Sequence, residues 1–320
     1  MSGRVCFLVG LLGAIGPITL YGAPFHTDTP DARIINGGIE TESSVFVSPL
    51  NADVVLVSNN KLAGNPPTST GVSAWISTDG GVTWIDQSSP LPNSFGDPAC
   101  VIGRVGGANG RFFGNYIGSG TAPQIASFKD ESDPAELWND RFVFEDIFSS
   151  TDKNHLWVDN SLSSSHSGNL YCAWTGNTQF AVAGILITRS LDNGENWEQP
   201  PFQIEHAIVD RGYLGVNLQT NSSGTVYAAW AVTRTSSDDT EIDLQFSTSS
   251  NGGAFWSPPT VIEDRVSGLG GSSVRAPGIT MRGNSFPSMA VDQNTGDIYL
   301  SRLGESRRTG ECPPNREPRD

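Results

Sequence analysis

Two acid–base pairs are the first candidates for chemistry. Asp152-Lys153 precedes Val158 by the same distance as Asp210-Arg211 precedes Val216, and Asp97 stands ahead of a third apolar run. A carboxylate beside a cation can tie neighbouring elements by ion pairs and backbone hydrogen bonds. It can also line a polar funnel that binds a sugar or a cation. His155 and Tyr213 follow the pairs in matching places and would add aromatic walls, or pack between elements. Glu40 and Glu42 lie near the first run of this kind, and Asn284 and Ser285 near the last. The four His (26, 155, 166 and 206) and four Cys (6, 100, 172 and 312) show no ligand spacing and no C-x-x-C, so no metal or cofactor is assigned. Carboxylates at such a rim would suit calcium, but nothing in the sequence establishes it. Cys172 sits in an apolar strand pattern and reads as a small buried hydrophobe.

The elements that must position these residues are repeats. STDGGVTW (77–84) returns as SLDNGENW (190–197) and as SSNGGAFW (249–256), with ESDPAELW (131–138) as a decayed copy. GNLYCAW (168–174) and GTVYAAW (224–230) are near twins, with looser versions at GRFFGNY (110–116), GDIYLSR (296–302) and DVVLVSN (53–59). A third run precedes each: VFVSP, ACVIG, LWVDN, YLGVN and SMAVD. The anchors Asp53, Gly110, Gly168, Gly224 and Gly296 are spaced by 57, 58, 56 and 72 residues. Each unit reads as strand, turn, strand, linker, strand, tight turn, strand, which is the signature of a propeller blade.

The S-x-D-x-G-x-x-W turn has a physical reading. Asp79, Asp192 and Asn251 accept hydrogen bonds from backbone N–H groups of their own turns. Gly81, Gly194 and Gly253 supply a positive φ, and Ser77, Ser190 and Ser249 brace the turn. Trp84, Trp197 and Trp256 fold back and pack into the blade. The turn is a structural staple, and its acids are not counted as catalytic.

These motifs resemble the Asp-box (BNR) repeats of the sialidase-like β-propeller superfamily, over residues 35 to 302. The resemblance implies an all-β, six-bladed propeller of four-stranded antiparallel blades, of which about four and a half are present. It implies a sialidase's equipment only in part. Three Arg would hold the substrate carboxylate, with an Asp acid/base and a Glu-assisted Tyr nucleophile. Arg33-Ile34-Ile35 keeps the Arg and Ile of the family's R-I-P motif and lacks the Pro. Arg211 and Arg275 fall in blades where further Arg would be sought, without a motif to fix them. The nucleophilic Tyr belongs to a missing last blade, and Tyr299 reads as a core strand residue.

Residues 1–23 combine Arg4, an apolar run, and Gly22-Ala23, resembling a secretory signal peptide. Residues 24–302 would form the propeller, and 303–320 a basic, disordered tail. A net charge of −15 disfavours nucleic acid, and after leader removal no apolar stretch would span a membrane. The expected protein is a secreted or periplasmic propeller that binds a glycan or a surface protein without catalysis. The alternatives are an exo-acting glycosidase and a structural or truncated product. The sequence leaves the oligomeric state open.

Overall fold

The computed structural model describes residues 5–10, 39–64, 68–87, 94–120, 122–130, 132–133, 136–144, 150–178, 181–206, 208, 210–234, 241–264, 273–276, 279–282 and 286–303. Every regular element among them is a strand. β1 (Val5–Gly10) precedes four sheets of four antiparallel strands each. Blade one holds β2 (Ile39–Val47), β3 (Val55–Ala63), β4 (Thr68–Ser77) and β5 (Ile85–Asp86). Blade two holds β6 (Ser94–Gly103), β7 (Arg111–Gly118), β8 (Gln124–Lys129) and β9 (Asn139–Phe144). Blade three holds β10 (Ser150–Val158), β11 (Leu170–Thr178), β12 (Ala181–Ser190) and β13 (Phe202–Glu205). Blade four holds β14 (Arg211–Thr220), β15 (Val226–Arg234), β16 (Glu241–Ser249) and β17 (Thr260–Asp264). A hairpin of β18 (Ser273–Ala276) and β19 (Ile279–Arg282), which the repeat pattern did not reveal, follows. The incomplete fifth blade pairs β20 (Ser288–Val291) with β21 (Ile298–Leu303). The chain is an all-β propeller, partial in its blades.

Apolar clusters between successive blades hold the ring. Leu56 and Ile76 of blade one pack with Ile102, Phe112 and Tyr116 of blade two. Trp174 of blade three joins Val101, Phe113 and Phe128, and Trp230 of blade four joins Tyr171 and Ile187. The two tryptophans of the twin motifs are fully buried in equivalent places. Truncating either to Ala would cost about 3–5 kcal/mol. Cys100 and Cys172 are free and buried within these clusters, and burial raises both thiols.

The S-x-D-x-G-x-x-W turns act across blades. Ser77 Oγ donates to Asp79 Oδ1 at 2.8 Å and accepts from Gly81 N at 2.8 Å. Asp79 Oδ1 also accepts from Thr83 N at 2.8 Å. Ser190–Asp192 and Ser249–Asn251 repeat this at 2.8 and 2.9 Å. Trp197 packs into the cluster shared with blade two, and Trp256 into the one shared with blade three, so each reaches back to the preceding blade. Arg189 Nη1 donates to Gly252 O at 2.6 Å, clamping blade four's turn onto blade three.

The decayed copy is a different device. In register, Lys129 of blade two (opposite Phe112) takes the place of Ser77, Ser190 and Ser249. Its ammonium, fully buried, donates to Gln87 Oε1 at 2.8 Å, Asp133 O at 2.7 Å and Glu136 O at 2.9 Å. A lysine spans the larger turn that a serine hydroxyl could not reach across, and Trp138 remains buried behind it.

One sequence expectation needs correction. Tyr299, read as core, is 45% exposed, because Ile298 and Leu300 take the face toward blade four and alternation turns Tyr299 outward. Arg302, at the end of the expected propeller, lies in β21, where Glu263 of blade four holds it at 2.9 Å. The apolar N-terminal segment contributes β1, which pairs parallel with β21 from Val5↔Ile298 to Gly10↔Leu303. Arg33 and residues 304–320 lie outside the described residues.

Candidate functional site

The inner strand of each of the four complete blades carries an irregularity at the axis. The register slips between Thr41 and Ser44, between Gly96 and Ala99, between Asp152 and His155, and between Leu214 and Asn217. Glu42, Asp97, Lys153 and Gly215 occupy these bulges with φ of 55°, 52°, 48° and 66°. Three non-glycine residues in the left-handed region are costly singly and mark a site the fold enforces. The bulge turns their side chains toward the axis, away from both faces of the pleat.

There they meet. The Lys153 ammonium contacts Glu42 Oε1 and lies 3.2 Å from Asp97 Oδ1. The Lys153 amide donates to Asp97 Oδ2 at 3.0 Å and to Asp152 Oδ1 at 2.9 Å. Asn60 closes the circuit: its Oδ1 accepts from Asp97 N at 2.8 Å and its Nδ2 donates to Glu42 Oε2 at 2.9 Å. Three blades thus share one ion cluster. Burial, reinforced by Asp97, pushes Asp152 up to about 6. Glu42 is raised by burial and by its hydrogen bond to Asp97. Burial opposes ionisation of Asp97 too, but Glu42, Lys153 and Asp152 together hold it well below the carboxylate range.

Apolar groups complete the lining. Pro98, Val216, Phe286 and Pro287 join Glu42, Asp97, Lys153, Asn154 and Asn217 around a cavity of about 240 Å³. Phe286 lies directly on Gly215, where a Cβ would meet its Cβ and Cδ1 at 2.6 Å. Only glycine gives both the φ and the space.

The structure brings Asp97, Asp152 and Lys153 together and leaves Asp210, Arg211 and Tyr213 elsewhere. The assumed match of Asp152-Lys153 with Asp210-Arg211 fails because the turns differ in length. Residues 159–169 join β10 to β11, but only 221–225 join β14 to β15. In register, Lys153 corresponds to Gly215 and His155 to Asn217. Arg211 lies 3.8 Å from Asp243 of its own blade, and Tyr213 is fully buried. Arg275 lies in β18, with its side chain outside what is described, as are Asn284 and Ser285. His155 is an interblade group: its Nδ1 accepts from Leu218 N at 3.3 Å. Glu42 was noted beside the first run but not placed with the acid–base pairs, and Phe286 was missed because no local motif marks it. The repeating bulge was the available signal. Among the described residues no cluster of His, Cys, Asp and Glu is arranged to hold a metal ion.

Solved structures share this architecture. A protein of unknown function from Dyadobacter fermentans aligns with a TM-score of 0.52 at 12% identity, over 83% of this chain and 79% of its own. An α-L-arabinanase from Penicillium chrysogenum, solved with arabinobiose, aligns with a TM-score of 0.50 at 12% identity, over 82% of this chain and 83% of its own. At that identity the likeness establishes the fold. No family model and no curated protein sequence matches the chain.

Proposed function

We propose that this chain is a carbohydrate-binding propeller whose axial funnel takes the end of a glycan. The observation that carries this reading is the mixed lining of the cavity, where Phe286, Val216 and Pro287 stand with Glu42, Asp97 and Lys153. A pyranose or furanose ring has an apolar face for an aromatic platform and hydroxyls for charged acceptors and donors. About 240 Å³ is below the usual ligand range of roughly 300–1,000 Å³, which suits one terminal ring. Non-catalytic binding is favoured because Glu42 and Asp97 are both engaged by one ammonium nitrogen. Paired glycosidase carboxylates stand about 5–9.5 Å apart with a bond or water between them.

The test is titration of the full chain with a panel of neutral oligosaccharides, arabinobiose among them. Micromolar to millimolar binding that Phe286→Ala abolishes would support the reading. Binding unaffected by that change, or none across the panel, would sink it.

A specific observation favours glycoside hydrolysis as the second reading. Asp152 is pushed up to about 6 beside a strongly ionised Asp97, a division of pKa values that suits an acid and a base. Reducing-sugar release from arabinan or another glycan, lost in both Asp152→Asn and Asp97→Asn, would establish it. The sialidase form would need Arg33, Arg211 and Arg275 to converge on a carboxylate, and turnover of a sialoside lost in Arg33→Ala is its test. Export belongs to the proposal as well; cleavage near Ala23 would take β1 from the edge of β21, and N-terminal sequencing of the native protein checks it.

A further inference from the structure

We infer that the funnel selects glycans ending in an amino sugar, a ring carrying a free ammonium group, over N-acetylated and uronic-acid counterparts. This rests on the reading of the funnel as the carbohydrate site and specifies its ligand. Among the described cavity residues, the ionisable side chains are Glu42, Asp97 and Lys153, with Asp152 bonded behind them through the Lys153 amide. In the cavity wall two carboxylates, Glu42 and Asp97, face one ammonium, so the wall is net negative when both are ionised. The imbalance is not spread evenly. Asp97 and Lys153 are each only 14% exposed at the side chain and neutralise one another. Glu42 is 34% exposed, the most accessible of the three. Its oxygens accept from Lys153 and from Asn60 and share a further hydrogen bond with Asp97, so of the four lone-pair sites of the carboxylate one is left for a ligand. Glu42 therefore offers the open acceptor site at the mouth, on a wall whose fixed cation is already engaged.

A carboxylated sugar would meet this wall with like charge, and no described cavity residue is an arginine that could clamp it. An ammonium on the terminal ring would complete the charge balance, with the ring's apolar face against Phe286. The acidic chain as a whole, at −15, adds a field of the same sign. A neutral ring retains the stacking and hydrogen bonds but not the charge pairing.

The experiment is calorimetric titration of the full chain at pH 6.5 and low salt. Three probes of matched length are used: a glucosamine hexamer, its N-acetylated form and a galacturonate hexamer. The glucosamine hexamer is expected to bind about tenfold more tightly than the N-acetylated form, with no measurable binding of the uronate. Raising the salt to about 0.5 M should reduce that preference to under about threefold. Glu42→Gln should remove the preference, bringing the glucosamine hexamer's affinity down to that of the N-acetylated form in the same variant; a preference that survives the change would overturn the assignment of the selectivity to Glu42. Equal or reversed affinities in the unmodified chain would overturn the inference and leave the carbohydrate reading standing. Failure of all three probes, together with every neutral glycan of the earlier panel, would overturn both. Because the decisive comparison uses the unmodified chain, it does not depend on how the variant folds.

Discussion

Replacing Lys153 with Met tests whether the funnel cluster is the electrostatic centre of the ring. The ammonium lies 3.2 Å from Asp97, and both side chains are 14% exposed. At an effective dielectric of about 20 that attraction is about 5 kcal/mol. Removing the desolvation cost of Lys153 returns part of it, so a net loss of about 3 kcal/mol is expected at pH 7.5. The sign with pH follows from the carboxyls. In the native chain Asp97 is held low, so its contribution is present above pH 4 and fades as pH falls. Without Lys153 its lowering of Glu42 and Asp152 is lost, so these two carboxyls, already raised by burial and by Asp97, rise further above the unfolded values, while Asp97 keeps its bonds to both. The folded variant then binds more protons than the unfolded chain, and its stability increases as pH falls from about 7 toward 4. The deficit should shrink to about 1 kcal/mol at pH 4.5. Urea unfolding followed by tryptophan fluorescence measures it, with eight Trp as reporters. A deficit under about 0.5 kcal/mol, or one that does not change with pH, would refute the reasoning.

Four further outcomes follow from the geometry. Ser190→Ala removes a fully buried hydroxyl that bonds Asp192 and Gly194, and should cost about 1–3 kcal/mol in urea unfolding. Gly215→Ala forces a side chain at φ 66° into Phe286, and should weaken glycan binding at least tenfold while lowering stability by about 1–2 kcal/mol. Burial pushes His155 down to about 4, below its unfolded value of about 6.5. It therefore stabilises the fold fully above pH 6.5 and loses that contribution as pH falls toward 4; an unfolding pH profile of His155→Gln should lack this slope. Deleting residues 1–23 removes β1 from the edge of β21, and amide exchange over residues 298–303 should quicken; unchanged protection would mean that β1 does not hold that edge.

The repeats made the fold legible because blade construction is local. The GNLYCAW and GTVYAAW twins encode a central strand with a buried Trp, and S-x-D-x-G-x-x-W encodes its turn in a few consecutive residues. Asp97, Asp152 and Lys153 were visible as strand-entrance charges for the same reason. The remainder depends on register. The six-residue difference between the turns 159–169 and 221–225 misaligned blade four, so Gly215 was hidden behind Arg211. Glu42 and Phe286 lie far apart in sequence and meet only because the ring brings blades one and five to one axis. Lys129 escaped notice as the decayed turn's brace because it precedes the segment that retained Asp133 and Trp138.

The most direct test of the central claim is a crystal structure of the chain soaked with the tightest-binding oligosaccharide from the titrations. A terminal ring stacked on Phe286 with its polar groups on Glu42 and Lys153 is the predicted result. A sugar seated on the Asp-box rim, or an empty funnel at saturating ligand, would contradict it.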